Sequence, residues 1–194
     1  MLEIAEKRGL VIGLAGKFGS GKDTAAALIQ EAFPGQQWRV ISFARLVKQV
    51  VATLTSTTLE QNLSDAGKQT VPRGFTDSLS TLQQKVGMAM RSIDELVWIK
   101  AAFAPVMPED NVIVTDVRFP NEVRAIHDHQ GMVIRLWGRA PRPNETRDPM
   151  HISETALDDL YHLFDFHIEN SGTLEELKKM LIYVVGQHVS RMKK

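Results

Sequence analysis

The chain has 194 residues, no cysteine, and 23 lysines and arginines against 23 aspartates and glutamates. That length suits one domain with a sizeable core, the absence of cysteine excludes disulfides and thiolate zinc sites, and a formal net charge of zero gives no support for binding duplex nucleic acid. No run approaches the ~20 apolar residues of a membrane span and the first residues lack the layout of a secretory signal, so no membrane contact and a cytoplasmic location are expected.

In chain order, the first apolar run, Leu10–Ala15, reads as a buried strand. It leads into Gly16-Lys17-Phe18-Gly19-Ser20-Gly21-Lys22-Asp23-Thr24, and a helix pattern follows over residues 22–33 until Pro34-Gly35 stops it. Gly16-x-x-x-x-Gly21-Lys22 between strand and helix is the context that a phosphate-binding P-loop needs. Glycines let the backbone turn tightly enough for its amides to converge on one concavity. The helix adds the positive end of its dipole, and Lys22 adds a cation for the β- and γ-phosphates. The spacing therefore implies a bound nucleoside triphosphate, with residues 16–24 as its cradle. Asp23 stands where most P-loops carry the hydroxyl that meets Mg²⁺, and Thr24 comes one residue late. Read alone, Asp23 either holds the metal through water or accepts a proton from the substrate side.

Arg39–Phe43 reads as a second strand, followed by Arg45 and Lys48 one helical turn apart. The two face the site together or are solvated surface charges; position alone does not separate these readings. Residues 56–73 read as irregular. Leu79, Leu82, Val86 and Met90 recur as one face of a helix, and Ser92-x-x-Glu95 predicts the cap of the next helix, running to Phe103 before Pro105.

Asn111–Thr115 predicts the third strand, and Asp116 follows it. A carboxylate ending a buried strand is costly unless a cation meets it, which in P-loop proteins is commonly hydrated Mg²⁺, so Asp116 reads as a Walker-B-type residue. Arg118 emerges at the same edge with the geometry to take a phosphate in bidentate fashion. Glu122 either stabilises the helix start or orients Arg118, Asn121 suits a helix cap, and Pro120 suits the first turn of a helix ending near Gly131. His127-Asp128-His129 lies late on that helix without a third ligand in view.

Met132–Trp137 predicts a fourth strand. The loop Gly138–Met150 then carries Arg139, Arg142 and Arg147 against Glu145 and Asp148, with prolines that oppose helix. Such a loop can close as a lid over a triphosphate and supply charge to a transition state, or it is a polar surface loop. His151-x-Ser153-Glu154 lacks the nucleophile elbow that a serine hydrolase needs. Phe164–Ile168 predicts the fifth strand. Thr173-x-x-Glu176 predicts a capping box opening a final helix, whose stripe of Leu174, Leu177, Leu181, Val184 and Val185 reads as core. Alternating strands and helices imply an α/β fold: a mainly parallel five-stranded sheet with helices on both faces and ligands beyond the strands' carboxyl ends.

Taken together, several segments match one family in order. They are the Gly-Lys-Asp-Thr ending of the loop at Gly21–Thr24, Ile41-Ser42-Phe43-Ala44, Leu82-Gln83-x-x-Val86-Gly87-x-x-x-Arg91 with Val97-Trp98, Thr115-Asp116-Val117-Arg118-Phe119-Pro120-Asn121-Glu122, His151-x-Ser153-Glu154, and Asp165-x-x-Ile168-x-Asn170 with Gly172-Thr173-Leu174. Over nearly its whole length the chain resembles the bacteriophage deoxynucleoside monophosphate kinases, of the NMP-kinase-like P-loop fold. The Gly-Lys-Asp-Thr ending also occurs in related P-loop kinases of small metabolites, including animal phosphomevalonate kinase.

The resemblance implies one kinase domain over residues 1–194, transferring the γ-phosphoryl group of ATP to a deoxynucleoside 5′-monophosphate with Mg²⁺. Asp23 is then the expected residue and shares the metal with Asp116. A helical region over about 45–105 would bind the acceptor through Arg91, with Gln83 or Gln84 and Trp98 nearby, joined by Arg45, Lys48 and Arg118. Lys22, Asp23, Arg118, Arg139 and Arg142 would be catalytic, and residues 138–150 the lid. If the chain is phage-encoded, the location is the host cytoplasm; a homodimer is left open. The rivals are a kinase of another acceptor, such as a modified base in DNA or a phosphorylated metabolite, and a nucleotide-binding switch without transfer activity.

Overall fold

The computed structural model describes residues 9–138 and 152–192. In chain order they form β1 (Val11–Ala15), α1 (Lys22–Ala32), β2 (Trp38–Ile41), α2 (Phe43–Thr55), α3 (Leu59–Leu63), α4 (Asp65–Lys68), α5 (Leu79–Ile93), α6 (Val97–Phe103), β3 (Asn111–Val117), α7 (Pro120–Asp128), β4 (Met132–Trp137), α8 (Ile152–Thr155), a 3₁₀ turn (Tyr161–Leu163), β5 (Phe166–Glu169) and α9 (Leu174–Met192). The chain divides into two compact units: Ser42–Pro105, and the segments before and after it.

The sheet belongs to the second of these. Its five strands are all parallel, in the order β2-β3-β1-β4-β5. Central β1 pairs Ile12 with Ile113 on one side and with Met132 on the other. Strands covered on both faces read as continuous apolar runs, and every residue of β1 is buried accordingly. Ile12 and Leu14 pack with Ala25, Ala26 and Ile29 of α1 and with Leu177, Leu181 and Val185 of α9. The opposite face of β1 meets α7: a Cβ added at Gly13 would lie 2.4 Å from Ile126 Cδ1. Helices thus cover both faces, as the alternating pattern predicts.

The Ser42–Pro105 unit is helical. Its Phe43 and Phe103 rings meet at 6.5 Å, and the buried Trp98 indole donates to the Gly87 carbonyl at 3.1 Å. Fully buried Asn62 is satisfied by Thr57 Oγ1 and the Thr58 carbonyl, at 2.8 and 3.0 Å.

Several boundaries differ from the sequence reading. The second strand stops at Ile41 because Ser42 caps α2, its hydroxyl accepting from the Arg45 amide at 3.2 Å, so Phe43 begins a helix. Residues 56–73 contain α3 and α4, the first opened by a Thr58–Gln61 capping box. Ser92 lies inside α5 with its hydroxyl bonded to the Ala89 carbonyl; α6 begins only at Val97, after Asp94 Oδ1 takes the Leu96 amide. Asn121 lies within the first turn of α7, where Pro120 is found as expected. β3 runs through Asp116 to Val117, and the fifth strand starts at Phe166. The Thr173–Glu176 box is present and reciprocal, at 2.7 and 3.2 Å. Among the described residues no helix is long and apolar enough to cross a membrane.

Candidate active site

The carboxyl end of β1 opens directly into the glycine loop. Gly16 has φ +141°, and a Cβ there would stand 2.4 Å from the Leu136 carbonyl oxygen and 2.7 Å from Ser20 Oγ. Only glycine fits that conformation and that gap. Gly21 is left-handed (φ 95°) at the N-cap of α1, with no side-chain cap on the first-turn amides. Behind the loop, buried Asn170, just past β5, donates to the Ser20 carbonyl at 2.9 Å.

Lys22 is buried, and its ammonium donates to the carbonyls of Gly16 (2.7 Å) and Lys17 (2.9 Å), spanning the loop from within. Desolvation lowers its pKa to about 8, and the nearby Arg118 guanidinium acts in the same direction. The carboxylates of Glu154, Asp23 and Asp116 oppose this. Those opposing influences place Asp23, Asp116, Arg118 and Glu154 within electrostatic reach of one cation.

At the end of β3, Glu122 is 1% exposed and its Oε2 accepts from the backbone amides of Arg118 (2.7 Å) and Phe119 (3.1 Å). It therefore sets the backbone from which Arg118 projects. The Arg118 guanidinium donates through Nη1 to Glu154 Oε1 and to the Ser153 carbonyl, the latter at 3.1 Å. The other oxygen of Glu154 accepts the Phe18 amide at 3.0 Å. Beside this, Asp158 takes Lys17 Nζ at 2.8 Å and lies 3.7 Å from Arg135 Nη2. The Arg135 guanidinium lies 4.5 Å from the Tyr161 ring centre and 5.3 Å from that of Phe164.

Glu154, Asp158, Arg135 and Asn170 are the site residues that sequence reasoning did not assign. Arg135 carried a usable signal, since a cation within an apolar strand needs partners for the same reason that Asp116 does. Glu154 and Asn170 lay inside segments quoted for the family resemblance, without a stated job.

Of the expected residues, Lys22, Asp23, Asp116 and Arg118 come together in the sheet unit, with Asp23 exposed on the first turn of α1 and Asp116 half-buried. Arg45, Lys48, Gln83, Gln84, Arg91 and Trp98 belong to the helical unit. Arg45 and Gln84 are exposed there, and Lys48 and Arg91 half-buried. The Gln83 amide donates to the Asn62 carbonyl and Oδ1, at 3.1 and 3.0 Å, and Trp98 is 3% exposed. Arg139, Arg142 and the rest of the expected lid after Gly138 lie outside the described residues.

Among the described residues no three carboxylates or histidines converge into a cage for a bare metal ion. Mg²⁺ ordinarily uses one or two carboxylates together with substrate phosphates, and Asp23 and Asp116 beside a phosphate loop fit that pattern.

No protein-family profile matches the chain, and no curated protein sequence does. Solved structures do resemble it. Dephospho-CoA kinase from Campylobacter jejuni aligns over 95% of this chain and 98% of its own, with 10% identity and a TM-score of 0.52. The fold is that of a P-loop kinase. Shikimate kinase from Aquifex aeolicus vf5 aligns over 93% and 98% of the two chains, with 14% identity and a TM-score of 0.48. At such identities the likeness is one of architecture alone.

Proposed function

We propose that the chain is an ATP-dependent kinase that phosphorylates a deoxynucleoside 5′-monophosphate. One observation carries the phosphotransfer reading: a glycine loop with a buried lysine follows β1, Asp116 and Arg118 stand at the end of the neighbouring parallel strand β3, and Asp23 stands on the first turn of α1, all within electrostatic reach of that lysine. A loop that only bound nucleotide would need Lys22 and the amides; Arg118 and the Asp23–Asp116 pair add charge where a phosphoryl group would leave the donor.

In this reading the loop amides and Lys22 hold the β- and γ-phosphates of ATP, and Arg118 aligns the transferring group. Asp23 and Asp116 would hold Mg²⁺, which would supply positive charge against the phosphate oxygens. Burial strengthens the contacts of Lys22 and Arg118, because a low-dielectric setting screens charge less than water does. The acceptor is assigned to the helical unit, with Arg45, Lys48, Gln84 and Arg91 as phosphate and base ligands. Gln83 and Trp98 support that unit from within. Arg139 and Arg142 are assigned to a closing lid. The deoxynucleotide acceptor rests on the family resemblance of the quoted segments.

Purified protein with ATP, Mg²⁺ and a panel of deoxynucleoside monophosphates tests this directly by ADP formation. Turnover dependent on one or more monophosphates is the expected result. Transfer only to DNA or to a phosphorylated metabolite would keep the kinase and overturn the acceptor; tight ATP binding with no acceptor-dependent turnover would overturn both. Lys22→Ala should lower turnover by about 10²-fold or more, the scale of losing one preorganised charge at a reacting centre. Near-wild-type activity in that variant is incompatible with the loop assignment.

A further inference from the structure

We infer that Glu154 is a positioning residue for the transfer reaction, locking the Arg118 guanidinium and the outer arm of the phosphate loop into one geometry. The inference rests on the kinase reading above and adds to it a residue that touches neither substrate.

The Glu154 side chain is 8% exposed and that of Arg118 16%. A carboxylate that far from water is costly unless both oxygens are satisfied. Both are: Oε1 by Arg118 Nη1, Oε2 by the Phe18 amide at 3.0 Å. The same Nη1 also donates to the Ser153 carbonyl, so two successive residues of α8 grip one guanidinium. Apolar packing does not explain why α8 lies here, because its one apolar residue, Ile152, is exposed. The first buried apolar side chain after it is Leu157. The polar contacts of Ser153 and Glu154 therefore do the aligning. Asp158 adds a second strap onto Lys17, but that pair is solvent-exposed and such pairs contribute little.

Arginine has many rotamers to lose, and a guanidinium already pinned in place loses fewer when a phosphate arrives. Glu122 fixes the backbone of Arg118 and Glu154 fixes its head, so the side chain is held at both ends. Glu154 also ties that head to the loop's own amide, so the arginine and the donor loop share one anchor. Its negative charge is matched by Arg118, which suits a strut and not a phosphate ligand.

The test is a double-variant cycle with Glu154→Gln and Arg118→Ala, read as kcat and as the dissociation constant of a fluorescent ATP analogue, on protein shown by thermal melting to be folded. Glutamine keeps the size of the side chain and loses its charge. Expected for Glu154→Gln is a fall in kcat of about 10–100-fold, the scale of a misplaced catalytic group, with ATP affinity within about threefold of wild type. If Glu154 acts through Arg118, the double variant is no slower than Arg118→Ala alone. In ¹⁵N-labelled protein the Phe18 amide resonance should also shift in Glu154→Gln. Unchanged kcat, or losses that add in the double variant, overturn the inference and leave the kinase intact. Tighter ATP binding in Glu154→Gln also overturns it, since the carboxylate would then be competing with phosphate for the loop. A wild-type protein that shows no acceptor-dependent transfer overturns the kinase reading and this inference together.

Discussion

Gly16 is constrained twice over, by its backbone angle and by the space beside it. Its backbone angle of +141° is one that side chains rarely adopt, and the space beside it is already filled by the Leu136 carbonyl, part of the adjacent strand and unable to swing aside. Gly16→Ala should therefore move either the loop or the end of β4. We expect a lower melting temperature together with at least tenfold weaker ATP binding, measured by calorimetry and by nucleotide titration. A variant that melts normally and binds ATP normally would show that the loop geometry has slack that the contacts do not suggest. By contrast Gly35, where an added Cβ would meet nothing within 4 Å, should accept alanine with little effect.

At the level of elements, the loop is held from behind by β5 as well as from in front by α8. Asn170 Nδ2 bonds the Ser20 carbonyl at 2.9 Å with both groups buried, so Asn170→Ala leaves a carbonyl without its partner. A cost of about 1–3 kcal/mol in urea denaturation is expected, with a parallel loss of ATP affinity because the unsatisfied group is in the donor loop. A loss of stability with unchanged affinity would show that the loop keeps its shape without this tie. The strands were legible because buried strands leave unbroken apolar runs, and their parallel direction because helices alternate with them; the order in which they lie was not, and Lys22, Asp116 and Arg118 stood out because each follows such a run. α3 and α4 were not, since four- and five-residue helices carry too few turns to show periodicity and depend on Thr58 and Ser64 caps. Ser92 misled because the same residue type that caps a helix can also bond backward onto Ala89 inside one. Glu154 was hidden for a different reason: its partners, Phe18 and Arg118, lie 136 and 36 positions away, and no local pattern announces them.

At the scale of the whole molecule, stability should depend on pH through His188 of α9. Burial lowers its pKa from 6.5, against a smaller upward pull from Asp165 and the Gln130 backbone, and its Nε2 is buried with no hydrogen-bond partner among the described residues. The folded state thus binds this proton less readily than the unfolded chain. Its contribution is fully present above pH 6.5 and is lost as pH falls below 6.5 toward the lowered folded value. Wild-type protein should melt at a lower temperature at pH 5.5 than at pH 7.5, and His188→Gln should narrow that gap. An undiminished gap in the variant would assign the acid sensitivity to other groups.

The order of the strands has a consequence for how the molecule comes into being. β1 carries the phosphate loop, yet both of its neighbours, β3 and β4, come from far later in the chain, Val11 pairing with Val112 and Ile12 with Met132. Contacts of such long sequence separation form slowly, because the intervening chain has to be closed before any pairing repays it. During synthesis the loop's strand stays unpaired until residues beyond Val117 have left the ribosome, and lacks its second partner until residues beyond Trp137 have done so. The segment most diagnostic of function is therefore among the last to acquire its shape, and a nascent chain stopped before β4 should hold no nucleotide at all.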